Sequence, residues 1–144
     1  MLLSQTAHYA LRAVFFLATA EEDKWHLTKN IAEQTQIPGP YLARILSTLA
    51  KRGILSSRTG MGGGFNISRE GLNLTLHDVV GQFDNLDNIC NCVFGFTECC
   101  GEGECILHKP WDDIKNRLLE MLRTNTLQDL RNSDKNVDWL TVKT

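Results

Sequence analysis

Tyr9, Ala13, Phe16 and Leu17 recur at helical spacing and predict a first helix over residues 2–20. Polar Glu21–Trp25 then leads to a short second helix, Lys29–Thr35, with Ile31 and Ala32 inward and Thr28 placed to N-cap it. Gln36-Ile37-Pro38-Gly39 reads as a tight turn. Pro40 opens a third helix, where a missing N–H is harmless, and Gly53 ends it after Arg52. This third helix has two faces. Leu42, Ile45, Leu46 and Leu49 form an apolar stripe, whereas Arg44, Ser47, Thr48 and Lys51 fall at i, i+3, i+4 and i+7 on another side. Tyr41 stands near its N-terminal end.

Ile54–Arg58 and Phe65–Ser68 read as two short strands joined by the glycine loop Thr59-Gly60-Met61-Gly62-Gly63-Gly64. Thr75, with Asp78 three residues on, resembles a capping box opening a helix that runs to about Leu86. Residues 87–108 lose periodicity and hold every cysteine. Pro110 starts a long final helix to about Thr124, in which Trp111, Ile114, Leu118 and Met121 step by 3, 4 and 3, a coiled-coil seam. The tail from Thr126 reads as short and polar, with Trp139 and Leu140 as its candidate anchors.

Helix, turn, helix, then a glycine-tipped hairpin is the order of a winged helix-turn-helix. The expected fold class is therefore mainly α with a small β-wing, followed by a long C-terminal dimerisation helix. Four units are expected: a DNA-binding domain over 1–86, a cysteine-rich loop over 87–108, a dimerisation helix over 109–130 and a tail over 131–144. In such a fold the third helix lies in the major groove. Arg44, Ser47, Thr48 and Lys51 carry the donors and acceptors that base edges require, and Tyr41 or Lys51 can instead hold phosphates. In the wing, Gly62 and Gly63 let the backbone approach DNA, and Arg58 at the base is suited to the narrow minor groove. The glycine run lacks the Gly-Lys-Ser/Thr ending of a nucleotide-binding loop.

Charge adds an asymmetry. Residues 1–69 hold 8 Lys and Arg against 4 Asp and Glu, while 70–144 hold 7 against 13, although the whole chain is only −2. A basic front suits a protein that meets a polyanion with one face. No secretion signal is visible, since Arg12 interrupts the apolar first helix. No uncharged run reaches the ~20 residues of a membrane span. These features point to the cytoplasm, where thiols stay reduced, so the cysteines are expected to bind metal rather than form disulfides. Five of the sixteen positions from Cys90 to Cys105 are cysteine, a density that incidental thiols do not explain. Cys92-x6-Cys99-x5-Cys105-x2-His108 supplies three thiolates and an imidazole, which fits either zinc or an iron–sulfur cluster. The wide spacing and flanking glycines leave room for the larger inorganic core. No nucleophile–base or dinucleotide motif is evident, which argues against an enzyme. A redox protein carrying a cluster, a zinc-bound regulator and a thiol sensor oxidised at Cys92, Cys99 or Cys100 are the rival readings.

Taken together, these segments resemble a family of bacterial iron–sulfur and redox transcription regulators, to which IscR, NsrR and RirA belong. The resemblance rests on Leu3–Ala13, on Ile31-Ala32-Glu33 with Tyr41-Leu42, and on Gly53-Ile54-Leu55. It continues through Gly62-Gly63-Gly64-Phe65, Leu74–Val80, Cys105-Ile106-Leu107-His108 with Trp111, and Thr126–Leu130. It implies a homodimer on a dyad-symmetric DNA operator and a cluster held by Cys92, Cys99, Cys105 and one non-cysteine ligand, with 2Fe–2S favoured over 4Fe–4S. His108 matches the histidine that follows the third cysteine in IscR-like members. His8 stands where NsrR-like members place an acidic ligand from the partner subunit. Two departures leave the ligand set open. Cys92 and Cys99 are separated by six residues rather than five, and Cys90 and Cys100 are extra, so Cys100 can replace Cys99.

Overall fold

The computed structural model describes residues 2–89, 92–96, 98 and 105–133. Among these described residues, six α-helices and one hairpin follow in order: α1 (Gln5–Thr19), α2 (Thr28–Thr35), α3 (Gly39–Lys51), β1 (Leu55–Arg58), β2 (Gly64–Ile67), α4 (Leu76–Val80), α5 (His108–Thr124) and α6 (Leu127–Asn132). This is the mainly α winged helix-turn-helix expected from the pattern.

The apolar periodicity is what assembles it. Ala10, Ala13, Val14 and Leu17 of α1, Ile31 of α2 and the α3 stripe Leu42, Ile45, Leu46 and Leu49 form one core with Ile54, Leu55 and Ile67 of the hairpin. Each fully buried Leu, Ile or Val side chain there contributes roughly 1.5–3 kcal/mol. A second cluster joins Leu3, just before α1, and Ala7 of α1 to Val80, Leu86 and Ile89, and is closed by Leu122 of α5 with Leu118 and Leu119 partly covered.

The helix starts show how local chemistry sets boundaries. Ser4 caps α1, its Oγ accepting from the Ala7 N–H at 3.1 Å. Thr28 does not cap α2, contrary to expectation; it is the first helical residue and Leu27 is the N-cap. The helix thus starts one residue earlier than expected, directly after the extended stretch in which His26 exchanges backbone hydrogen bonds with Phe65 (3.1 and 2.8 Å). Thr75 and Asp78 do form the capping box. The helix that follows ends at Val80 rather than near Leu86. Gly81 is a weak helix former, and the Asp84 carboxylate beyond it is drawn to the first turn of α1, accepting from the Ser4 N–H at 2.8 Å and from its hydroxyl. A single 3₁₀ turn occupies Leu86–Asn88 instead.

The stretch from Thr126, expected to be a polar tail, is a helix opened by a second capping box. Its Thr126–Asp129 box repeats the Thr75–Asp78 pattern, and Leu127 is buried in the core of the N-terminal helices. Trp139 and Leu140 lie outside the described residues.

Candidate DNA-binding face and cysteine segment

With its apolar stripe turned inward, α3 presents Tyr41, Arg44, Ser47 and Lys51 to solvent, and Thr48 is half-buried beside them. The helix has no acidic residue, and Arg52 adds a further cation at its end. The turn leading into it passes through Gln36 at φ 57, a left-handed residue that closes α2. Arg12 of α1 holds the same corner, donating to the Thr35 carbonyl at 3.2 Å. The polar face is thus presented by a helix fixed on its opposite side.

The wing projects next to it. β1 and β2 pair antiparallel from Leu55↔Ile67 to Arg58↔Gly64, and Arg58 is exposed at the last pair. Gly62 is exposed. Gly63, expected at the surface, is buried: a Cβ there would lie 2.3 Å from the Arg58 carbonyl oxygen, so the residue closes the loop rather than facing outward. Gly64, at φ +134, lets the strand pass against His26, whose carbonyl oxygen would stand 2.2 Å from an added Cβ.

Sequence reasoning missed two residues that hold this arrangement. His26 is buried at the wing base, edge-on to Phe16 at 5.3 Å between ring centroids, and its Nε2 makes no hydrogen bond among the described residues. Burial first, and Lys24 second, push its pKa below the ordinary 6.5, against a smaller opposing effect of Glu21. Arg131 of α6 is also buried, with Nε donating to the Ala18 carbonyl near the end of α1 at 3.4 Å. A lone histidine and a lone arginine carry no periodic signal. The Thr126-x-x-Asp129 pattern that places Arg131 was available to find α6.

Of the candidate metal ligands, Cys92 is buried and Cys105 and His108 are half-buried. His108 begins α5, and its N–H bonds to the Cys105 carbonyl at 3.2 Å, so both belong to one tight turn. Ile89 packs with Ala7 and Leu3, so the cysteine segment departs from beside the first turn of α1, where His8 is exposed. Cys90, Cys99 and Cys100 lie outside the described residues. Among the described residues no group of three His, Cys, Asp or Glu side chains is gathered for a metal ion.

Along α5, Leu122 faces the core, while Ile114 and Met121 of the seam are each 50% exposed and Trp111 and Leu118 are half-buried. Among the described residues no helix is long and apolar enough to cross a membrane.

The sequence profile of the Rrf2 family, described as an iron-dependent transcriptional regulator, matches residues 3–133. A protein of Aquifex aeolicus named as an HTH-type transcriptional regulator is 30% identical over 137 residues, spanning 94% of each chain. The HTH-type transcriptional regulator IscR of Escherichia coli is 29% identical over 138 residues, 96% of this chain and 85% of IscR. Among solved structures, CymR, the global cysteine regulator of B. subtilis, superposes with a TM-score of 0.71 at 24% identity over 92% of this chain and 98% of its own. IscR of T. potens does so with 0.67 at 22% identity, over 99% and 92%.

Proposed function

The chain belongs to the Rrf2 family of transcriptional regulators, and from that premise we propose that it works as a homodimer on double-stranded DNA, with its grip set by an iron–sulfur cluster. The observation that carries the DNA-binding part is the α3 face, exposed, free of acidic residues and rigidly backed, beside a glycine-tipped wing with Arg58 at its base. In this reading Arg44, Ser47 and Thr48 meet base edges, Tyr41 and Lys51 hold phosphates, and Arg58 with Gly62 addresses the adjoining minor groove. The half-exposed seam of Trp111, Ile114, Leu118 and Met121 packs against the same seam of a second copy. Two recognition helices would then address half-sites about one DNA turn apart on a dyad-symmetric operator.

The donor set fits an iron–sulfur cluster by its chemistry. Cys92, Cys99 and Cys105 are the assigned thiolates and His108 the fourth ligand, with Cys100, Cys90 and His8 as the alternatives; 2Fe–2S is favoured over 4Fe–4S. The shared turn of Cys105 and His108 supports their pairing, as does their place at the foot of α5. When bound, the cluster supplies a redox- and iron-sensitive cross-link between these side chains. The residues 87–108 that it would tie together run between α4 and α5, so their order bears on how the seam helix sits against the DNA-binding half. A typical coupling of ~1–3 kcal/mol would alter operator affinity roughly 5- to 150-fold.

Protein isolated without oxygen should be coloured and carry iron, with a Mössbauer spectrum that reports the cluster type. Titration of its promoter DNA with and without the cluster should give two affinities. Equal affinity in both states would remove the sensory role and leave the DNA-binding one. A second reading keeps the same DNA-binding parts and makes the cysteines thiol sensors. It draws on Cys90 and Cys100, which exceed what the cluster assignment uses. Iron-free protein that loses DNA on mild oxidation of its thiols would favour it.

A further inference from the structure

Met61 stands at the tip of the wing with its side chain wholly exposed, at 101% of its reference area. The residues on either side are Gly60 and Gly62, at φ +85 and +73, and no atom lies within 4 Å of where a Cβ would sit on either. The methionine therefore rises from a ridge of bare backbone. That ridge is braced beneath: the Gly63 N–H bonds to the Gly60 carbonyl at 3.1 Å, Gly63 is packed under the Arg58 carbonyl, and Phe65 is bridged to His26. The hairpin from Ile54 to Arg69 carries two arginines and no acidic residue. An apolar side chain held at the apex of a thin, cationic hairpin contributes nothing to the core, and its setting complements a polyanion.

Resting on the DNA-binding reading above, we propose that Met61 is a wedge that enters the minor groove beside each half-site and presses between two stacked base pairs. A narrow backbone ridge suits a groove about 6 Å wide, and apolar side chains including methionine open base steps in this way. An unbranched thioether adapts to the irregular gap that results. The wedge makes the chain sensitive to how easily a flanking step unstacks, at a position α3 does not reach. Pyrimidine–purine steps, which unstack most readily, are the preferred sequence there.

The test uses the full-length protein and duplexes enriched by it from a randomised pool, with 2-aminopurine placed at the steps flanking the recognised half-sites. Wild-type binding should raise 2-aminopurine fluorescence at one flanking step, and the enriched pool should favour TA or CA/TG there. Met61→Gln, of similar length but polar, should abolish the rise and weaken binding roughly 5- to 30-fold. Met61→Leu should keep both. The dependence on salt should be the same in all three, because no phosphate contact is altered. Unchanged affinity and an unchanged fluorescence rise in Met61→Gln overturn the wedge while leaving DNA binding intact. A wild-type protein that enriches no duplex overturns the DNA-binding reading, and the wedge with it.

Discussion

Thr75 and Thr126 face each other in an isolated antiparallel bridge, and each caps the helix that starts beside it. The Leu76 N–H donates to the Asn125 carbonyl at 2.9 Å and the Leu127 N–H to the Leu74 carbonyl at 3.0 Å. Two capping boxes are thereby clasped together, and the chain leaving α5 is fastened to the start of α4.

Thr75→Ala and Thr126→Ala should each lower stability by about 1 kcal/mol in urea unfolding. Because the two caps share a bridge, each single variant already forfeits their mutual support, so the double variant should lose less than the sum of the singles, by roughly 0.5 kcal/mol or more. Strict additivity would show that the clasp does not couple them. The Asp129 carboxyl is held below its ordinary range by the Thr126 N–H first and the Thr126 hydroxyl second. Its folded pKa is depressed, so its contribution is present above the ordinary 3.8 and is lost as pH falls through the folded value. Asp129→Asn should flatten unfolding across that acid range.

His26 gives a second pH dependence. Its folded pKa lies below 6.5, chiefly because burial disfavours the charged ring. The unfolded chain then takes up a proton first as pH falls, so the contribution is complete above 6.5 and declines from there down through the folded value. Thermal unfolding of wild type and His26→Phe should converge in their pH profiles above 6.5 and diverge below it, with the variant less sensitive.

Gly64→Ala should disturb the wing more than Gly62→Ala. At Gly64 the added carbon meets the His26 carbonyl at 2.2 Å and the backbone is strained as well, whereas at Gly62 only the positive φ resists. A loss of about 1–3 kcal/mol is expected for the strain alone, with the clash adding to it at Gly64. Comparing the melting temperatures of the two variants checks the order.

On α3, Arg44→Ala should cost about 1–3 kcal/mol of operator binding and relax preference at one base pair, whereas Lys51→Ala should weaken all duplexes alike and reduce the salt slope by about 1. Fluorescence anisotropy at several salt concentrations separates the two roles. A uniform loss with Arg44→Ala would reassign that side chain to the phosphate backbone.

Cys92→Ser, Cys105→Ser and His108→Ala should each deplete iron in protein isolated without oxygen, while His8→Ala should leave it bound. Cys99→Ser and Cys100→Ser decide between the two neighbouring thiols. Iron retained in His108→Ala and lost in His8→Ala would transfer the fourth position to α1. Iron analysis referred to folded protein, judged by circular dichroism, is the measurement.

Much of this molecule is written in local pattern. The α3 stripe from Leu42 to Leu49, the glycine-tipped hairpin and the Thr75–Asp78 box were all legible, because periodicity, turn chemistry and capping depend on residues within a few positions of one another. The bunching of cysteines before His108 is likewise visible in spacing alone, and it is the basis on which soft-metal chemistry is proposed.

What the chain alone left open depends on partners far apart in it. Asp84 ends α4 early because it reaches Ser4 across the fold. His26 sets where α2 can start because Phe65 holds it extended. Arg131 and Leu127 bring the segment after α5 back onto the N-terminal helices. Linear order determined which helices and strands this protein can form; only long-range packing decided where they stop and which ends are fastened together, since burial and hydrogen bonding between distant residues outweigh the small local preferences at an element's edge.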